Sequence, residues 1–151
     1  MTPVFSVGDT VRCTHDTEKC SLCQSRPSAC GYYKTIGKLG TVLDVDDHRR
    51  TPMGKTEPTT GKSHRVAFIG HDRPTIIPIT EIELVTDLST DEMLGAWQGD
   101  MDRVSAHTNR TMKYYDEAPD GSTKKGDAVA TLDYLSHRRR LIEKAFEVLI
   151  P

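Results

Sequence analysis

Short segments in the first half of the chain mix apolar and polar residues in the way that is typical of half-buried β-strands. In residues 38–46, the apolar residues Leu39, Val42 and Val45 are interspersed with polar ones, and Gly40 permits a bulge or a tight bend. The other segments predicted as strands are 4–12, 65–70, 75–79 and, after one helical turn at 80–83, Leu84-Val85. Five short strands within roughly 85 residues are typical of a small β-barrel.

From residue 87 the apolar residues recur at alternating spacings of three and four, which predicts two helices. Ser89 or Thr90 can cap the first helix, and Glu92 complements its N-terminal end. Residues 118–127 contain proline and glycine and break the pattern. The seam positions are Leu94, Trp97, Met101, Val104, Thr108, Thr111 and Tyr115, then Ala128, Leu132, Leu135, Arg139, Ile142, Phe146 and Leu149. Two segments of about 26 residues with a short connection predict an antiparallel helical hairpin.

The segments GDTVR (8–12) and GKLGTVLDVD (37–46) resemble the KOW motif of ribosomal proteins and transcription elongation factors, with Gly40 at the position of that family's glycine. They are also similar to the SH3-like tail of the nitrile hydratase β-subunit. The resemblance implies an SH3-like barrel and, for KOW proteins, binding of RNA or protein. A long insertion with all four cysteines separates the two strands where a KOW motif has a tight turn. The resemblance therefore carries the fold and not the RNA contacts.

These patterns predict an α+β protein in two parts. Residues 1–86 are expected to form a small SH3-like β-barrel with a zinc-binding loop insertion at 13–34 and a flexible loop at 47–64. Residues 87–151 are expected to form the antiparallel two-helix hairpin.

Composition narrows the classes of function that fit. The chain has 151 residues, 28% of them charged, and a net charge of −2, so it is not basic enough as a whole to bind nucleic acid. No apolar run approaches the roughly 18 residues that would span a membrane. Met1 to Val11 lacks the features of a signal peptide. We therefore expect a cytoplasmic protein without a membrane partner, and in that compartment thiols stay reduced.

The chain has four cysteines, all in the polar loop 13–34: Cys13, Cys20, Cys23 and Cys30. Cys20 and Cys23 have the two-residue separation that lets two thiolates face one ion. The loop has no apolar core, so a bound metal would supply its folding free energy. We predict a structural Zn²⁺ ion held by the four thiolates, with His15 as the substitute ligand if Cys13 points into the barrel. Unliganded thiols and a redox-active pair are the alternatives.

The sequence does not predict a catalytic centre. Residues 54–56 and 61–63 resemble the end of a phosphate-binding loop, but the positions five residues earlier hold Arg49 and Thr56 instead of glycine. The sequence also lacks the nucleophile motif G-x-S-x-G and the metalloprotease motif H-E-x-x-H. We therefore predict a protein that is not an enzyme.

Two polar segments are candidate surfaces for nucleic acid or another partner. The first carries cations that can contact phosphates: Arg49, Arg50, Lys55, Lys62 and Arg65. The second is the hairpin tip, which carries the carboxylates Asp116, Glu117 and Asp120. This acidic tip is similar in architecture to the bacterial factors that enter the secondary channel of RNA polymerase, whose tip carboxylates reach the catalytic metal of the polymerase. A solvated loop and an ordinary polar turn are the alternative interpretations.

These features favour a regulatory or adaptor protein. The barrel is the platform, and the hairpin projects towards a protein partner, such as a component of the transcription or translation machinery. A phage-encoded protein that modulates its host fits this combination and would act in the host cytoplasm. A KOW-like protein that binds RNA or DNA through the 47–65 loop is one alternative, and a structural component of a viral or other assembly is another. The sequence does not predict the oligomeric state.

Overall fold

The computed structural model describes residues 4–26, 30–45 and 63–151. Within these residues the chain is an α+β protein, as predicted. Its strands are β1 (Thr10–Cys13), β2 (Leu39–Asp44), β3 (Ser63–Phe68), β4 (Thr75–Pro78) and β5 (Ile82–Leu84). Its helices are α1 (Ser21–Ser25), α2 (Thr90–Glu117) and α3 (Thr123–Leu149), and 3-10 turns lie at Tyr33–Thr35 and Ile79–Glu81. The predicted loop cations Arg49, Arg50, Lys55 and Lys62 lie outside the described residues.

The strands form one antiparallel sheet in the order β4-β3-β2-β1-β5. Val11 of β1, which lies between β2 and β5, is opposite Gly40 on β2 and Leu84 on β5. A Cβ atom at Gly40 would lie 2.8 Å from the carbonyl oxygen of Ala67, so only glycine fits where β2 crosses β3. Among the described residues, β4 and β5 are the two edges of the sheet. The sheet is therefore open, and the closed barrel that the sequence predicted is not observed.

The sheet builds the first hydrophobic cluster of the protein. Its buried members come from the strands, the 3-10 turn at Ile79–Glu81 and the N-terminal segment: Phe5, Val11, Cys13, Val42, Val66, Phe68, Ile77, Ile79 and Ile82. Val11 and Cys13 are two residues apart, so the period of the strand places both side chains on the same face. The side chain of Cys13, the last residue of β1, is therefore packed into this cluster.

The two long helices form the antiparallel hairpin that the sequence predicted. Ser89 caps α2 in a capping box, in which its hydroxyl accepts from the Glu92 N–H at 3.1 Å and the Glu92 carboxylate accepts from the Ser89 N–H at 3.2 Å. Ser122 caps α3, which begins five residues before Ala128, the first predicted seam residue. In the described part of the chain, no helix combines the length and the apolar character that crossing a membrane requires.

The hairpin packs on the sheet and shares a second hydrophobic cluster with it. Trp97 is fully buried in this cluster, and its indole N–H donates to the Thr41 hydroxyl on β2 at 2.9 Å. Ala67 on β3 belongs to the same cluster. The cluster otherwise consists of helix residues: Met93, Val104, Leu135, Leu141, Ile142, Ala145 and Leu149. A buried interface therefore joins the parts on either side of the predicted boundary at residue 86.

A buried carboxylate connects the hairpin to the turn between β3 and β4. Asp100 is 1% exposed and accepts from Arg138 Nη2 at 2.6 Å and from the Gly70 backbone N–H at 3.2 Å. The Arg138 side chain is itself largely buried. Arg103 also donates to the Asp100 carboxylate, at 3.2 Å. Removing Asp100 therefore leaves the buried guanidinium of Arg138 without its counter-charge. These contacts of Asp100 with Arg138 and Gly70, called the latch below, therefore hold the β3–β4 turn against the helices.

The arginine in this interface differs from the predicted one. The helix pattern placed Arg139 on the seam, but Arg139 is exposed and its Nε lies 3.8 Å from the Glu143 carboxylate. Arg138 occupies the interface instead. Leu141 and Ala145 are buried although neither was a seam position, because α3 buries a face against the sheet as well as against α2. The spacing of apolar residues along the hairpin does not by itself predict which of them pack against the sheet.

Candidate metal centre

Four side chains from the connection between β1 and β2 converge on one point. His15 follows β1, Cys20 and Cys23 lie at the start of α1 and within it, and Cys30 precedes the 3-10 turn at Tyr33–Thr35. The metal-binding atoms of these four residues all lie within 4.8 Å of one another. His15 Nε2 is 3.3 Å from Cys23 Sγ and 3.3 Å from Cys30 Sγ. The Sγ atoms of Cys20 and Cys30 are 3.9 Å apart. The loop therefore assembles one compact set of four donors.

The spacing of these donors fits a tetrahedral metal ion. Thiolate ligands at about 2.3 Å from Zn²⁺ lie roughly 3.8 Å from one another in a tetrahedral site. The sulfur–sulfur distance of 3.9 Å and the nitrogen–sulfur distances of 3.3 Å agree with such a site. Three cysteines and one histidine are a ligand set of structural zinc sites, in which no coordination position is left open. The donor chemistry thus matches a structural zinc ion.

Cys13 lies outside this cluster, in contrast to the predicted four-cysteine site. Its side chain is 2% exposed and belongs to the hydrophobic cluster of the sheet, where its Sγ accepts from the Thr35 hydroxyl at 3.3 Å. Cys13 is the last residue of β1 and pairs with Ile82, so the strand keeps its side chain on the core face beside Val11. His15 takes the fourth position, as predicted for a Cys13 that points into the sheet.

A carboxylate fixes the orientation of the His15 ring. The His15 Nδ1 atom lies 2.9 Å from Glu81 Oε2, and the His15 side chain is 5% exposed. When the Nδ1–H donates to Glu81, the lone pair of Nε2 faces the three sulfur atoms. Metal-binding histidines are commonly oriented and made more basic by such a carboxylate. Glu81 is 66 residues from His15, so no local pattern in the sequence relates the two residues.

Backbone hydrogen bonds attach the metal loop to the sheet at both ends. The Thr14 N–H donates to the Glu81 carbonyl oxygen at 2.8 Å, and the Gly37 N–H donates to the Cys13 carbonyl oxygen at 2.9 Å. The Tyr32 ring contacts the His15 ring edge-on, with 5.5 Å between the ring centroids. These contacts attach the loop that carries the four potential metal ligands to the sheet.

The thiols differ in their affinity for protons. The Cys23 backbone N–H, as a hydrogen-bond donor to the Cys20 sulfur, holds the pKa of the Cys20 thiol at about 7. Burial, together with the neighbouring Cys30 and Cys20 sulfurs, raises the pKa of the Cys23 thiol to about 12. A metal ion binds the thiolate, so it must displace the proton of Cys23 at neutral pH. Metal binding is therefore expected to weaken as the pH falls.

Replacing Glu81 by alanine is expected to weaken zinc binding by about 10- to 100-fold, because the His15 ring loses its orienting partner. Competition with a chromophoric chelator measures this affinity directly. Glu83→Ala is the matched control, since Glu83 is an exposed carboxylate two residues away on β5. Equal zinc affinities of the Glu81→Ala and Glu83→Ala variants would show that the Glu81 contact does not support the site.

The other predicted site residues within the described part of the chain lie apart from the metal centre. Arg65 lies on β3 in register with Asp44 and lines a groove that also contains Lys144 and Glu147. Two carboxylates and two cations therefore share that groove, which is not a basic surface of its own.

The acidic tip is also partly neutralised. Asp116 and Glu117 are the last two residues of α2, Asp120 lies in the turn that follows, and all three are exposed. Lys125 donates to the Asp120 carboxylate at 2.8 Å and holds the pKa of that carboxyl below its usual range. The Lys125 ammonium also lies over the Tyr115 ring, 4.4 Å from its centroid. Asp120 therefore stabilises the turn instead of adding to a free set of three acids.

The described residues thus bring together one set of four potential ligands, with one carboxylate behind the histidine. Among these residues, no other group of three or more histidine, cysteine or acidic side chains comes close enough to hold a metal ion. No protein-family model, no curated protein and no solved structure matches this chain.

Proposed function

We propose that this protein is a zinc-stabilised adaptor, without enzymatic activity, that engages a protein partner through the projecting half of its helical hairpin. The observation that carries this proposal is a group of large apolar side chains exposed on that half. They are Met112 (45% exposed), Tyr114 (46%), Val129 (52%) and Tyr134 (41%). We propose that the adaptor regulates transcription or translation. A phage-encoded protein that regulates its host is one form of this proposal.

Zinc has a structural role in this proposal. Cys20, Cys23, Cys30 and His15 hold the ion. Its binding free energy orders the loop, whose described residues around Cys20 and Cys23 form the five-residue helix α1. Four protein ligands leave no position for a substrate or an activated water. This ligand set needs reduced thiols, which supports a reducing compartment such as the cytoplasm.

An SH3-like barrel is the architecture that we propose for the sheet. The strand order β4-β3-β2-β1-β5 and the 3-10 turn between β4 and β5 support this assignment. The resemblance of 8–12 and 37–46 to KOW segments falls on β1 and β2 and their approaches. The zinc loop then occupies the connection between the first two strands of the barrel and leaves the hairpin free to project.

The hairpin continues beyond its contact with the sheet. The buried cluster that joins helices and sheet ends at Val104 on α2 and Leu135 on α3. About 13 further residues of α2 extend roughly 20 Å past Val104 at 1.5 Å per residue. In this half, the buried positions on the facing sides of the helices are the small residues Thr111 and Ala128. Tyr115 and Leu132 are half-buried, whereas the four larger apolar side chains named above are exposed. Their exposure favours an intermolecular role over a place in the core.

The composition of this exposed group fits a protein interface. Tyrosine and methionine are enriched at the centres of such interfaces, where a few side chains provide most of the binding free energy. A groove of about 310 Å³ lies between the helices and is lined by Tyr114, His107, Thr131 and neighbouring residues. Such a groove can receive an anchoring side chain of the partner.

Affinity capture tests the proposal. The tagged chain is expected to retain a specific protein from nuclease-treated lysate of its source cells. The double variant Met112→Ser with Tyr114→Ser is expected to lose that protein. Tyr33→Ser, which alters a side chain of similar exposure (47%) in the zinc loop, is the control that keeps it. Loss of all captured material after nuclease treatment, or equal capture by both variants, would contradict the proposed hairpin interface.

A further inference from the structure

A groove lined mainly by cations lies between the β3–β4 turn and the outer face of α3. It encloses about 230 Å³, and its polar walls are formed by Arg73, His137, Arg140, Lys144 and a single carboxylate, Asp72. We propose that this groove binds the phosphodiester backbone of a nucleic acid. It is separate from the metal centre and from the projecting half of the hairpin, so the inference does not depend on the proposed protein partner.

The cations of the groove are spaced to contact successive phosphates. Arg140 and Lys144 lie on one face of α3, four residues and about 6 Å apart along the helix axis. His137, one turn earlier on the same face, lies 3.5 Å from the Asp133 carboxylate. Arg73 approaches from the turn on the other side of the groove, with its side chain 78% exposed. The groove therefore presents charge from both walls to a chain lying along α3.

The permanent cations in the lining of this groove outnumber its carboxylate. Arg140 and Lys144 are exposed, and neither forms an ion pair with a carboxylate in the described part of the chain. Asp72 lies 3.8 Å from Arg73 Nε, at the outer limit of an ion pair. The lining holds three permanent cations and one carboxylate, in a chain whose net charge is −2. Lys144 also borders the neighbouring groove that contains Asp44 and Glu147. Repulsion among gathered like charges opposes folding, and a bound polyanion offsets that cost.

The walls of the groove are held in place before any ligand arrives. Gly70, at the start of the β3–β4 turn, donates its N–H to Asp100 at 3.2 Å, and Arg138 on α3 donates to the same carboxylate at 2.6 Å. This buried latch fixes the distance between the turn that carries Arg73 and the helix that carries Arg140. A preorganised site loses less conformational entropy on binding.

The lining favours a nucleic acid over an acidic protein. Leu141 is the larger of the two apolar side chains that line the groove, and only 2% of it is exposed to solvent. A protein interface needs an accessible apolar centre, whereas phosphate contacts need only charge and hydrogen-bond donors. The groove has no tryptophan, tyrosine or phenylalanine for stacking on bases. Binding is therefore expected to be independent of sequence and sensitive to salt.

The test is a fluorescence anisotropy titration of the full chain with a short labelled DNA duplex over a range of salt concentrations. Each phosphate neutralised on duplex DNA contributes about −0.9 to the slope of log K against log salt, so three contacts predict a slope of about −3. The single variant Lys144→Ala is expected to reduce the magnitude of this slope by about 0.9. The triple variant Arg73→Ala, Arg140→Ala, Lys144→Ala is expected to abolish the salt-dependent binding.

The matched control is the triple variant Arg110→Ala, Lys113→Ala, Lys124→Ala, which removes the same number of charges from exposed positions on the projecting half of the hairpin. It is expected to keep the slope and affinity of the wild-type chain. Circular dichroism of each variant confirms that the helices are intact. Absence of binding at low salt, equal losses in both triple variants, or equally tight binding of a polyglutamate peptide would each overturn the assignment.

Discussion

Replacing His15 by alanine is expected to remove the zinc ion, whereas Cys13→Ala is expected to leave one ion bound per chain. His15 Nε2 lies 3.3 Å from two of the three cluster sulfurs, while Cys13 lies in the core of the sheet and accepts from Thr35. The sequence alone predicted Cys13 as the fourth ligand and His15 as its substitute. Elemental analysis of the purified and dialysed variants measures the metal content directly.

Loss of zinc is expected to unfold the loop at 13–34 and to leave the hairpin largely helical. Structural zinc contributes on the order of 10 kcal/mol to such loops, and a helix of five residues like α1 is not stable on its own. Cys20→Ser should therefore open the loop to proteolysis, while circular dichroism retains the signal of α2 and α3. Zinc retained by His15→Ala and lost from Cys13→Ala would show that Cys13 is the ligand.

Asp100→Ala is expected to lower the free energy of unfolding by about 3–5 kcal/mol. The substitution leaves the guanidinium of Arg138 buried without its counter-charge and removes the acceptor of the Gly70 N–H. Both groups then lose the interactions that offset their desolvation. Urea denaturation followed by circular dichroism gives the difference in unfolding free energy from the wild-type chain.

Asp102→Ala is the control for this prediction, because Asp102 is an exposed carboxylate on the same helix and is expected to change stability by less than about 0.5 kcal/mol. The double variant Asp100→Leu with Arg138→Met should recover most of the loss, since it removes both charges together. If Asp100→Ala and Asp102→Ala unfold at the same urea concentration, the latch does not stabilise the fold.

Local sequence patterns predicted much of the secondary structure. The predicted strand 75–79 agrees with β4 to within one residue, and the capping signal at Ser89 is confirmed. The strand predicted from residue 4 begins at Thr10, because Gly8 adopts a positive φ of 93° in a turn before it. Helix α3 begins earlier than its apolar repeat, since the Ser122 cap determines its start. Periodicity therefore located the elements, and turns and caps set their ends.

The candidate site was predictable only where its contacts are local. The spacing of Cys20, Cys23 and Cys30 predicted three of the four residues that the structure brings together. The choice between Cys13 and His15 depends on where β1 ends, which pairing with a distant strand determines. Glu81 is 66 residues from His15, and Arg138 is 38 residues from Asp100. Such pairs leave no mark in a local pattern, because only the folded sheet and hairpin bring them together.

X-ray absorption spectroscopy at the zinc edge is the most direct test of the metal centre. The ligand set predicts three sulfur atoms at about 2.3 Å and one nitrogen atom at about 2.0–2.1 Å around each ion. A shell of four sulfur atoms would place Cys13 in the site and contradict the assignment of His15. A shell of oxygen and nitrogen atoms alone would show that the cysteine cluster does not bind the metal.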